Sequence, residues 1–159
     1  MTYSTTEQRS GPVKSDQDAV ADVVNLYAYA LDNRDWARLD EVFASDAVVR
    51  YGSVDAPPVQ GSADIVTTIR SFLDRCGPSQ HLLGNHIIDI DGDTASSTCK
   101  GRVMHIGRGD RAVRTYECFG VYRDRLSRSA AGWRIVERSF EIHFELGDRH
   151  AVLGGPADS

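Results

Sequence analysis

Apolar positions in the first half of the chain recur at helical spacing. Val20, Val23, Val24, Tyr27 and Leu31 form one stripe, which "DNRD" interrupts. A second helix is predicted over 36–44, with Trp36, Leu39, Val42 and Phe43 on one side. "DAVVRYGS" reads as a short strand and "APPVQG" as a loop. Ile65, Ile69, Phe72 and Leu73 mark a third helix, closed by "GP". After Pro78 the period drops to two. "QHLLGNHIIDID" and "TASSTCKGRVMHIG" flank a "DGD" turn, followed by "AVRTYECFGVYRDRL" and "WRIVERSFEIHFEL". Three helices before four long strands predict an α+β domain. A curved, mostly antiparallel sheet then closes with the helices into a cone that encloses a pocket.

The divisions expected are a tail over 1–15, the domain over 16–147 and a second tail over 148–159. The chain of 159 residues is right for one core. With 41% hydrophobic and 26% charged residues, and a net charge of -5 spread along the chain, it has no basic block for nucleic acid. It also has no apolar run long enough to span a membrane. Cys76, Cys99 and Cys118 are scattered and odd in number, which points to a reducing cytoplasm rather than a disulfide framework.

Alternation puts Ala95, Ser97, Cys99, Gly101, Val103 and His105 on one strand face. The small residues leave space there, and His105 points into it. His81 opens its strand and shares a face with Leu83, but the two faces of that strand do not separate cleanly, so Gly84 is a candidate bulge. His143 is expected to face water. Asp32 is unusual, because a carboxylate at a helix C-terminus meets the negative end of the dipole. It either caps the next helix or serves a site. Tyr51 shares a face with Val49. No zinc spacing, phosphate loop or nucleophile elbow occurs.

The run "LYAYALDNRDWARLDEVFASDAVVRY", with "QHLLG" and "RVMHI" later, resembles scytalone dehydratase and the SnoaL-like branch of the nuclear-transport-factor-2-like superfamily. The resemblance extends from about Asp18 to Leu146. It implies a catalytic set of Asp32, Tyr51, His81 and His105, with Asp32 paired to His105. The candidate substrate contacts are Tyr27, Trp36, Tyr116 and Phe140. Two departures stand out. Leu31 occupies the place of a family tyrosine, and Tyr116 and Cys118 replace a serine and an asparagine. The implied activity is a cofactor-independent lyase of dehydratase type, which removes a proton next to a carbonyl. Its substrate would be a small hydrophobic ring compound, polyketide- or steroid-like. An isomerase, a polyketide cyclase and a non-catalytic binding or subunit module are the alternatives. Family members are commonly homodimers or homotrimers. No cofactor and no metal are expected.

Overall fold

The computed structural model describes residues 14–52 and 55–154. Ser15 caps the first helix, α1 (Asp16–Asn33), by accepting from the Asp18 amide at 3.1 Å, and Asp16 and Asp18 complement the dipole there. The stripe buries Val20, Val24, Tyr27, Ala28, Ala30 and Leu31. Arg34 ends the helix in the left-handed conformation at φ 57°, its amide directed at the carbonyls of Ala30 and Leu31. Trp36–Glu41 forms 3₁₀ turns, shorter than the α-helix expected over 36–44, because strand β1 (Phe43–Gly52) begins at Phe43. A two-residue strand β2 (Val59–Gln60) and helix α2 (Ser62–Leu73) follow, with Ile65, Ile69 and Leu73 buried.

The meander comprises β3 (Ser79–Asp91), β4 (Thr94–Ile106), β5 (Thr115–Ser129) and β6 (Gly132–Gly147). The six strands form one mixed sheet in the order β2-β1-β6-β5-β4-β3, with β1 parallel to β6 and the other pairs antiparallel. The α+β reading therefore holds. The core lies between the helices and the inner face of the sheet, where α1 and α2 contribute Val20, Val24, Leu31, Ile65 and Ile69.

Alternation along β4 is complete. Ala95, Ser97, Cys99, Gly101, Val103 and His105 are all buried. The space above its small residues is already filled, however. A Cβ on Gly101 would lie 2.6 Å from the Tyr122 ring, which stacks on Phe140 at 4.1 Å between centroids. The open volume begins further along the strand, at Val103 and His105.

Gly84 does mark a bulge. Gly84 pairs with Lys100 and Ile87 with Thr98, so β3 carries one extra residue, and Asn85 takes φ 54°. His81 and Leu83 before the bulge, and Ile88 and Ile90 after it, are consequently all at least partly buried. His143 sits at a similar irregularity in β6 and is exposed.

The expected C-terminal tail is structured in part. Helix α3 (Arg149–Leu153) is capped by Asp148 and buries Val152 and Leu153. The expected N-terminal tail falls mostly outside the described residues. Among the described residues no helix is long and apolar enough to cross a membrane.

Candidate active site

A cavity of about 310 Å³ opens between α1, α2, α3 and the inner sheet face. His81, His105, Tyr51, Tyr27, Tyr116 and Phe140 all line it. Asp32 sits directly behind His81. Trp36, expected to contact substrate, lies outside it. The left-handed residue Arg34 turns the chain away before Trp36, whose ring instead lies under the Arg70 guanidinium at 5.6 Å.

The Asp32 carboxylate joins the end of α1 to the start of β3. Its Oδ1 accepts from the His81 ring Nδ1 at 2.6 Å and from Ser79 Oγ at 3.1 Å, and its Oδ2 accepts from the His81 backbone amide at 2.7 Å. The 3₁₀ segment is preceded by Asp35, with no side-chain cap, so Asp32 is not capping it. Burial alone would raise the Asp32 carboxyl. Its hydrogen bonds and charge interaction with His81, and the Ser79 bond, outweigh this and hold it below the usual carboxylate range. Arg34 secures the arrangement by donating to Ser79 Oγ at 2.8 Å, to the Gly77 carbonyl at 2.7 Å and to Cys76 Sγ at 3.3 Å.

The pairing of Asp32 with His105 expected from the resemblance is corrected here, since the partner is His81. His105 lies one strand further in. Its ring centroid is 6.0 Å from that of His81, and it stacks on Tyr116 at 5.4 Å. Burial, assisted by repulsion from His81, pushes its pKa down to about 4. His105 is therefore a neutral imidazole at ordinary pH, and among the described residues its Nδ1 has no hydrogen-bond partner.

The Tyr27 and Tyr51 hydroxyls share a hydrogen bond of 3.0 Å at the cavity wall, and each oxygen can donate or accept. Burial raises the Tyr51 pKa well above its usual value, so it stays a donor. Beneath them Arg138 lies over the Tyr27 ring at 4.1 Å and the Tyr122 ring at 4.8 Å, and it binds Asp124 bidentately at 2.7 and 2.8 Å, fully buried. Tyr116 donates to Glu145. Cys118 also lines the wall, but burial pushes its thiol up to about 11, so it offers no thiolate.

Sequence reasoning missed Arg149, Phe72 and Leu153 at the cavity. Phe72 belongs to the predicted α2 stripe, which points it toward the core side but cannot show that a cavity lies there. Arg149 and Leu153 are carried by a helix of five residues, too short for a periodic signal. Among the described residues no group of three or more His, Cys, Asp or Glu side chains is arranged to hold a metal ion.

A cone-shaped α+β fold with an aspartate–histidine pair behind an apolar cavity defines a class of small pocket proteins. This chain belongs to the SnoaL-like domain family, which matches residues 13–139. An uncharacterized protein of Mycobacterium tuberculosis is 32% identical over 127 residues, covering 78% of this chain and 83% of that one. The crystal structure of a candidate aromatic ring hydroxylase from Novosphingobium aromaticivorans superposes with a TM-score of 0.75 at 26% identity, covering 84% and 93% of the two chains. A candidate scytalone dehydratase from the same species superposes with a TM-score of 0.75 at 18% identity, covering 91% and 94%, a likeness of fold.

Proposed function

We propose that the protein is a cofactor-independent lyase of dehydratase type, acting on a small ring compound by proton abstraction next to a carbonyl. The observation that carries this is the Asp32–His81 contact of 2.6 Å at the wall of an apolar cavity. Asp32 fixes the His81 proton on Nδ1, which leaves the Nε2 lone pair as the base, and its charge stabilises the imidazolium that forms. Tyr51 donates to the carbonyl oxygen as it becomes an enolate. The β-hydroxyl then leaves with the proton from His81 Nε2. Water is lost, a carbon–carbon double bond forms, and His81 returns to neutral. His105, neutral and 6.0 Å from His81 between ring centroids, adds no positive charge of its own beside the base. The candidate scytalone dehydratase of the same fold is in keeping with this reading.

The test is a panel of cyclic β-hydroxy carbonyl compounds, followed by absorbance of the conjugated product and by deuterium uptake at the α carbon. His81→Ala should nearly abolish both. Asp32→Asn should lower kcat/KM by about 10²–10⁴, the range of a general acid–base group. Exchange without elimination would redirect the reading to an isomerase or cyclase. Turnover that survives His81→Ala, or ring compounds that bind but never exchange, would overturn the acid–base assignment.

A further inference from the structure

Among the described residues that line the cavity, Arg149 is the only one with a formally charged side chain. It is exposed, and its one described contact is the Phe72 ring, 5.7 Å from the guanidinium carbon. Among the described residues no carboxylate lies within ion-pairing distance of it, although the chain carries 23 acids against 18 lysines and arginines. Other arginines near the cavity are already engaged: Arg138 holds Asp124, and Arg34 holds Ser79 and the loop before β3. The helix that carries Arg149 is held in place. Val152 and Leu153 anchor α3 in the core, the Asp148 amide bonds the Thr115 carbonyl at 2.9 Å, and Arg111 donates to the Ala151 carbonyl at 2.8 Å. The field of Arg149 reaches into the cavity. The Cys118 thiol, raised mainly by burial, is acted on in the opposite direction by the Arg149 charge.

An apolar cavity with one unpaired guanidinium beside an aromatic ring suits one kind of molecule. We propose that Arg149 is an anion-binding group and that the natural ligand is a ring compound bearing a carboxylate. The rings fill the apolar volume beside Phe72, Phe140 and Ile142, and the carboxylate meets the guanidinium fork, the geometry in which that pair is strongest. This rests on the reading that the cavity holds the substrate, and it narrows the substrate to an acid.

The test is binding, independent of turnover. A panel of ring carboxylates of about one to three rings, 2-naphthoate among them, is compared by calorimetry with the matched neutral amides. Wild-type protein should favour the carboxylates roughly tenfold, as expected for a charge-assisted hydrogen-bonded contact. Added salt should shrink the preference. Arg149→Gln should abolish it while leaving amide affinity within about twofold, and Arg149→Lys should retain part of it, because lysine keeps the charge without the fork. Equal affinity for acid and amide, a preference that survives in Arg149→Gln, or no carboxylate binding anywhere in the panel would overturn the proposal. Equal affinity would leave the His81 chemistry untouched, whereas loss of exchange in the earlier assay would leave the anion site standing.

Discussion

His105 is a buried imidazole whose pKa lies near 4 in the folded chain, against about 6.5 unfolded. Between these values the unfolded chain binds the extra proton. Stability therefore rises with pH across that window and is lost as pH falls from about 6.5 to about 4. The contribution is at most about 3 kcal/mol. Urea unfolding of wild type and His105→Gln at pH 4.5 and 7 should show the smaller pH dependence in the variant; equal dependence would mean that His105 is solvated. Asp32 acts in a different window. Its lowered carboxyl contributes stability above its unfolded pKa of about 3.9, lost only as pH falls below that. Arg138 is the most consequential buried charge. Arg138→Met leaves the Asp124 carboxylate without its partner in the core and should cost about 3–5 kcal/mol. Adding Asp124→Leu should recover most of that loss in the same unfolding assay, and failure to do so would show that the ring contacts of Arg138 outweigh its ion pair.

Among the elements, β3 depends on one backbone irregularity. Asn85 occupies the left-handed region, which asparagine tolerates and β-branched residues do not. Asn85→Val should cost about 1–2 kcal/mol and Asn85→Gly close to nothing, read as shifts in the urea midpoint. A midpoint unchanged in Asn85→Val would place the bulge elsewhere. This bulge was legible in the sequence because the alternation of β3 fails at Gly84, and the β4 face was legible because its alternation does not fail. Trp36 was misplaced for a local reason: its helical spacing is real, but nothing in the residue types of "DNRD" shows that Arg34 reverses direction at φ 57°. Helix α3 was invisible because its five residues span little more than one turn.

For the whole molecule, the order of helices and strands sufficed to read an α+β domain, since period and turn residues are local properties. The partner of Asp32 was not local. The carboxylate and the His81 ring are 49 residues apart in sequence, and both histidines face the same volume. Only the seating of the α1 terminus against the first rungs of β3, secured by Arg34 on Gly77 and Ser79, selects His81. The polar end of the cavity was thus readable as a set of residues and unreadable as a set of pairs.

Among the described residues the sheet order leaves the 13-residue β3 at an edge with no strand beyond it, its outer groups met from α1 where Asp32 accepts from the His81 amide and Gln17 donates to the Ile88 carbonyl. Leu82 and Ile87 are exposed there, at 53% and 65%. A straight edge of that length would be a template for another chain to add to the sheet. The extra residue at Asn85 breaks the row into two short stretches whose amides and carbonyls are out of step. An incoming strand can match one stretch or the other but not both, so the kink that orients the interior also hinders the edge from recruiting copies into a growing aggregate.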